Sequence, residues 1–166
     1  MKYEKGRIMD DFIVRPIGVI RTAHLDKEKT PIQPCFAEDF EGEAEVFPEY
    51  AEGIRDVKEF SHIYLVYLFH REESEKLLVK PFLQDVERGV FATRAPCRPN
   101  HIGFSIVKLI CREGNVLRFS GADMLDGTPL IDIKPYTELF DHIEGTKNGW
   151  QNELDMNDAK RRGRRR

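Results

Sequence analysis

The amino-acid sequence predicts a mainly β protein, a barrel or sandwich of short strands. Two observations carry this. Apolar and β-branched residues concentrate in short runs of strand length. Glycine and proline signals separate these runs throughout. Strands are expected at Phe12 to Ile20, Gly42 to Phe47, His62 to Phe69, Gly89 to Thr93, Ile102 to Cys111, Val116 to Phe119 and Leu130 to Ile133. Pro48 to Val57 has helix chemistry, with proline and acid at its start where the dipole is positive. Leu65 to His70 shows no regular polar alternation, so that strand is expected to be buried on both faces or to meet another subunit. Arg112-Glu-Gly-Asn115 reads as a hairpin turn between two strands.

Length and composition fit one domain. A chain of 166 residues can bury roughly 70% of its unfolded surface. Its 40% hydrophobic and 33% charged content is ordinary for a water-soluble protein. No apolar run approaches the ~20 residues that cross a bilayer, and the N-terminus lacks the apolar core of a secretion signal. Cys35, Cys97 and Cys111 are widely spaced and odd in number, which argues against a disulfide framework. A cytoplasmic protein is expected.

The net charge of −3 hides an asymmetry. Lys160 to Arg166 holds six of the 26 basic residues, leaving 20 against 29 acidic ones in the preceding chain. Residues 147–166 are expected to form a polar, basic and disordered tail. It reads either as an electrostatic tether to RNA or as a solubilising arm.

Two segments carry the candidate chemistry. In Arg94-Ala-Pro-Cys-Arg-Pro-Asn-His-Ile-Gly103, Pro96 and Pro99 impose extended backbone before them. Asn100 favours a turn, and Gly103 suggests a backbone other residues would resist. The result is a rigid cationic loop whose guanidinium groups suit carboxylate or phosphate. Alternatively, both arginines tie down neighbouring carbonyls and carboxylates. In Gly121 to Tyr136, the turn Asp126-Gly127-Thr128-Pro129 precedes a short strand. Asp126 could accept from a ribose or an amino group, Gly127 lets a ligand approach the backbone, and Thr128 offers a hydroxyl. A simple Asp-Gly hairpin is the plainer reading.

Other chemistries find less support. There is no Gly-x-Gly-x-x-Gly and no phosphate-loop motif, which argues against a Rossmann-type nucleotide site. His62, His70, His101 and Cys97 match no zinc-ligand spacing. Ser61 and His62 are adjacent, and neighbours on a strand point to opposite faces, which argues against a Ser-His-Asp hydrolase.

Several motifs together resemble the TsaA-like family, which includes the TrmO tRNA methyltransferases. They are Pro16-Ile-Gly-Val-Ile-Arg-Thr22, Thr30-Pro-Ile-Gln33, Phe60-Ser-His-Ile-Tyr-Leu65, Phe69-His-Arg71, Thr93 to Asn100 and Asp126 to Tyr136. They run in the family's order over roughly residues 12 to 137. The resemblance implies a small antiparallel β-barrel with one or two short helices, binding S-adenosylmethionine and assembling as a homodimer. It also implies an activity, methylation of N6 of N6-threonylcarbamoyladenosine at position 37 of tRNA. Residues 1–11 would be an extension and 12–146 the barrel domain.

Carried over to this chain, the cofactor site comprises Pro31, Ile32, Gln33, His70, Arg71, Arg94, Phe104, Asp126, Gly127, Thr128 and Pro129. Arg98, Asn100 and Tyr136 are expected to contact the substrate. Arg94 and Arg98 would hold a carboxylate, of the cofactor or of the threonyl group. The acceptor nitrogen is conjugated to a carbonyl and needs a base, for which His70 and Asp132 are the candidates. No metal is expected. Two departures stand out: family members commonly carry proline where this chain has His101, and larger bacterial members have a second, C-terminal domain. Within these 166 residues, tRNA would be held by the barrel loops and the tail. A non-catalytic S-adenosylmethionine or nucleoside sensor, or a methyltransferase for another acceptor, are the alternatives.

Overall fold

Strand alternation sets the architecture. In the computed structural model, which describes residues 13–164, six antiparallel strands close a barrel in the order β1-β2-β7-β6-β3-β8. They are β1 (Gly18–Thr22), β2 (Glu41–Val46), β3 (His62–Leu68), β6 (Ile102–Glu113), β7 (Val116–Ser120) and β8 (Thr128–Pro135). A separate two-stranded ribbon pairs β4 (Leu78–Val79) with β5 (Arg88–Gly89). The expected extension 1–11, Phe12, Arg165 and Arg166 lie outside the described residues. No helix among the described residues is long and apolar enough to cross a membrane.

The inward positions follow the period of two that a pleated strand imposes. Ile63, Leu65 and Tyr67 of β3 are buried, as are Val107 and Leu109 of β6, Leu117 and Phe119 of β7, and Leu130 of β8. With Ile20, Ala44 and Val46 they fill the barrel. Ser105, fully buried, interrupts this apolar lining on β6. On β3 the intervening residues are only half-buried, so the run lacking polar alternation has one fully buried face rather than two. Tyr64 on that outer face stacks on Phe104, with ring centroids 5.1 Å apart.

Several expected boundaries move. The first strand begins at Gly18, so Ile13 to Ile17 of the expected run are not strand. Only Arg88–Gly89 of the 89–93 region is strand, and residues 90–92 form a 3-10 turn. Pro48–Ile54 is a 3-10 helix, with proline in its first turn as expected. The Arg112–Asn115 hairpin forms, with Gly114 at φ 62°.

The largest difference concerns the C-terminus. Residues 147–166 were expected to be disordered because they are so polar. Instead Gly149–Glu153 makes a 3-10 helix and α2 (Met156–Gly163) follows a short α1 (Glu138–Asp141). Asp155 caps α2 by accepting from the amides of Asn157 and Asp158. Ala159 and Gly163 are buried, and Gly163 packs on the Phe36 ring. The Gly163 carbonyl accepts the Ile32 amide at 3.1 Å, and Arg164 pairs with Asp39. Gly163 lets this polar helix fit against the 34–36 turn, and Ala159, four residues earlier on the same face, is buried too.

Candidate functional site

One rim of the barrel gathers the candidate residues. The ends of β1 and β3 meet the starts of β6 and β8 there, together with the loops 23–40, 93–101 and 121–127. The 121–127 loop is pinned from below. His24 Nε2 donates to the Ala122 carbonyl at 2.9 Å, and its ring meets Phe40 edge-on. Burial holds the His24 pKa below its usual value, consistent with a neutral ring in that role. The Thr22 hydroxyl donates to the Met124 carbonyl at 2.9 Å, and the Thr22 amide donates to Asp126 Oδ1 at 3.1 Å. Asp126 and Gly127 then give their amides to the carbonyls of His24 and Ile20. Gly127 takes φ 75°, a value that favours glycine. The Asp-Gly turn is thus anchored to the end of β1 and does not close a hairpin between paired strands.

Next to this turn stands His70. Its Nδ1 lies 3.4 Å from Thr128 Oγ1, whose own proton goes to the Leu125 carbonyl at 2.7 Å. The imidazole must therefore donate in that long contact, which selects the Nδ1-protonated form. Burial, then the neighbouring Arg71, holds its pKa below the usual value. Arg71 reaches across to the Leu25 carbonyl at 2.9 Å.

A second group sits under the 93–101 loop. Arg94 Nη1 donates to Gln33 Oε1 at 2.8 Å, and its guanidinium lies 5.9 Å from the Phe104 ring centre. Pro31 is buried beside them in sequence, and Ile32 is fixed through its amide by α2. Arg98, four residues on, behaves differently. Its guanidinium donates to the carbonyls of Ala95, Val90 and Thr93, all in its own loop. Its fork is spent on the backbone.

Between the two groups lies a polar chain that the sequence reading missed. Ser105 Oγ donates to Asp123 Oδ1 at 2.7 Å, and the Tyr67 hydroxyl lies 3.0 Å from Ser105 Oγ. Since the serine proton is committed to the carboxylate, Tyr67 must be the donor to serine. Burial pushes the Asp123 pKa up to about 7, against the opposing effect of Ser105's hydrogen bond and the Arg94 charge. Burial and the nearby Asp123 raise the Tyr67 hydroxyl well above its usual value.

A family model described as the tRNA-methyltransferase O N-terminal domain matches residues 19–142. The chain belongs to the tRNA-methyltransferase O family. A Pyrococcus abyssi relative, named a probable S-adenosyl-L-methionine-binding protein, is 53% identical over 136 residues, covering 82% of this chain and 74% of the relative. The tRNA (adenine(37)-N6)-methyltransferase of Escherichia coli is 37% identical over 145 residues, covering 81% of this chain. The crystal structure of TrmO from Pseudomonas aeruginosa superposes with a TM-score of 0.70 at 38% identity, over 84% of this chain. The chain spans 62% of each of those last two proteins. These matches establish the TsaA/TrmO-like family and its barrel.

Set against the family reading, the rim brings together Pro31, Ile32, Gln33, Arg94 and Phe104 on one side. Asp126, Gly127, Thr128, Pro129, His70 and Arg71 stand on the other. Four expected residues have other surroundings than that cluster. Arg98 holds its own loop. Asp132 faces the outside of the barrel, paired with Lys134 at 2.8 Å, because a bulge in β8 puts it opposite the outward Val66. Tyr136 follows the far end of β8, its amide bonded to the His62 carbonyl, about 20 Å along the strand from Pro129. Asn100 is exposed and adopts φ 67°, serving the turn. His101 takes φ 50° and donates its amide to Arg98, neither of which a proline could do.

Ser61 and His62 also correct an expectation. Ser61 precedes β3, so strand alternation does not separate them, and Ser61 Oγ lies 2.9 Å from His62 Nδ1. No carboxylate among the described residues joins that pair, and it lies at the opposite end of β3 from the rim. The missed signal was Ser105, a hydroxyl in the inward register of an otherwise apolar strand. Asp123, flanked by Ala122 and Met124, was the second.

Proposed function

We propose that this chain is an S-adenosylmethionine-dependent tRNA methyltransferase whose acceptor is N6 of the threonylcarbamoyl-modified adenosine at position 37. The observation that carries this reading is the rim itself. A guanidinium over an aromatic ring shares the rim with a turn rich in oxygen acceptors, in a chain whose relatives are named for S-adenosylmethionine binding and for tRNA adenine methylation.

The residues present suit the cofactor. Arg94, positioned by Gln33, offers a fork for the carboxylate of the amino-acid part. Asp126 and Thr128 offer acceptors and a hydroxyl to its ribose or amino groups. Ile32 and Phe104 provide apolar surface for the adenine, with Pro31 buried behind them in the chain. When bound, S-adenosylmethionine supplies an electrophilic methyl group on a sulfonium. The chain's own task is to position the acceptor nitrogen in line with that methyl, which accounts for much of the rate in such transfers. The anchored 121–127 loop and the Arg98-locked 93–98 loop provide the rigidity this needs.

A tRNA acceptor supports a cytoplasmic place of action. α2 brings Lys160, Arg161, Arg162 and Arg164 beside the cofactor loop, which supports a role in holding RNA phosphates. A homodimer accords with the exposed Leu139, Phe140 and Ile143, at 82%, 81% and 72% exposure.

The test is calorimetric titration with S-adenosylmethionine, then methyl transfer to tRNA with and without the threonylcarbamoyl group. Saturable one-to-one binding and transfer only to the modified tRNA are expected. Binding without transfer would leave a sensor protein, and transfer to unmodified tRNA would replace the acceptor.

A further inference from the structure

We propose that Asp123 is the general base of this site, receiving the proton of the acceptor nitrogen and held for that task by the chain Tyr67–Ser105–Asp123. This rests on the methyltransferase reading above and adds to it a residue that the family resemblance did not supply.

The geometry selects Asp123 among the carboxylates of the rim. Asp126 accepts the Thr22 amide and is assigned above to the ribose or amino groups of the cofactor, and Asp132 points outward to Lys134. Asp123 lies between the two halves of the cofactor cluster. It is three residues before Asp126 and bonded to a serine two residues from Gly103, where the cationic loop joins β6. Among the described residues, Ser105 is the only other side chain donating to its carboxylate, and only through Oδ1. Asp123 is also only partly covered, whereas Ser105 and Tyr67 beneath it are buried. The arrangement is a carboxylate supported from below, on a residue that is only partly covered.

The charged and titratable groups facing it come from every element around it. Tyr67 is from β3, with Ser105 of β6 between them. Arg94 comes from the 93–98 loop and Cys35 from the 34–36 turn. Burial keeps Tyr67 protonated and the Cys35 thiol is shifted upward, so Arg94 is the one charge among them at neutral pH. Asp123's raised pKa, about 7, suits a base that must be ionised at working pH yet basic enough to take a proton from a carbonyl-conjugated nitrogen.

The step balances. The acceptor nitrogen gives its proton to Asp123 while its electron pair forms the new bond to the methyl carbon. The pair from the methyl's former bond stays on sulfur, so the sulfonium charge and the carboxylate charge disappear together. The products are a neutral methylated nitrogen, a thioether and a protonated Asp123, which solvent then deprotonates.

The experiment compares wild type, Asp123→Asn and Ser105→Ala in three measurements: S-adenosylmethionine affinity by calorimetry, methyl transfer to modified tRNA from pH 5.5 to 9, and carboxyl titration by carbon NMR. Asparagine keeps the Ser105 acceptor and the side-chain shape, so cofactor binding within about threefold of wild type reports an intact fold. Transfer should fall by about 100-fold or more. Wild-type rate should rise tenfold per pH unit up to about pH 7 and then level off. Ser105→Ala, which removes a bond to the ionised form, should move that limb to higher pH. Normal cofactor binding with unchanged transfer and pH profile in Asp123→Asn would overturn Asp123 as base and leave the methyltransferase reading standing. So would an Asp123 carboxyl titrating below pH 5. A wild type that binds cofactor but methylates no tRNA overturns the methyltransferase reading and this role with it.

Discussion

Replacing Gly103 by alanine pits two effects against each other, and the structure decides which wins. In a strand, glycine loses more backbone freedom on folding than alanine, so Gly→Ala alone should stabilise by about 0.5–1 kcal/mol. Here a Cβ would lie 2.6 Å from Cδ2 and Cζ of Tyr67, with Cε2 nearer still. The ring cannot easily yield. Tyr67 is 3% exposed, its hydroxyl holds Ser105, and its ring meets Phe69 edge-on at 5.4 Å. Overpacking of this kind costs about 1–3 kcal/mol or more. Pulling the hydroxyl off buried Ser105 adds about 1–3 kcal/mol. The net expectation is a loss of about 2–5 kcal/mol, or very roughly 5–15 °C in Tm for a domain of this size. Urea and thermal unfolding followed by circular dichroism measure it. Tyr67→Ala in the same chain should recover part of the Gly103→Ala loss, because the clash is gone. A Gly103→Ala protein as stable as wild type, or more so, would show that the packing around β3 and β6 is not as described. Gly103 is therefore required by its neighbour and not by its own φ, contrary to the expectation from the loop sequence.

Three further outcomes are expected. Arg98→Lys should lower stability by about 1–3 kcal/mol, since one ammonium cannot span the carbonyls of Val90, Thr93 and Ala95, and a thermal melt matching wild type would refute that bracing role. Truncation after Leu154 removes α2, so the Ile32 amide and the Phe36 ring lose their cover; S-adenosylmethionine affinity should fall several-fold in calorimetry while the barrel melts nearly as before. Asp123→Asn should change stability with pH. The folded carboxyl has a pKa of about 7 against roughly 4 unfolded, so the native state holds the extra proton between these values and wild-type stability falls as pH rises through that window. The asparagine protein should therefore be the more stable above pH 7, by at most a few kcal/mol, with the advantage vanishing near pH 4. Parallel stability curves for the two proteins would contradict it.

Much of the fold was legible because strand information is local. The alternation in β3, β6 and β7, the Gly114 hairpin and proline at the start of the 48–54 helix are each set by neighbours within a few residues. The motifs at 31–33, 70–71, 94 and 126–129 could likewise be read in order along the chain and assigned to one family. What the sequence could not distinguish was Arg94 from Arg98. The two share a residue type and a loop, yet one reaches Gln33 and Phe104 while the other is consumed by carbonyls of its own segment. That difference depends on where the loop turns, and hence on Asn100 and His101 at positive φ.

The polar C-terminus misled for the same kind of reason. By composition it cannot bury enough apolar surface to fold alone, but Gly163 needs only the surface already built by Phe36, and Ala159 is buried as well. Asp123 is the clearest case. In the sequence it is one of 29 acidic residues. Barrel closure alone sets it over Ser105 and Tyr67, respectively 18 and 56 positions away, where loss of water changes its proton affinity. The sequence by itself determined the strands and the family. The tertiary structure decided which of its charged groups are exposed to a ligand, because desolvation and hydrogen-bond partners come from segments far apart in the chain.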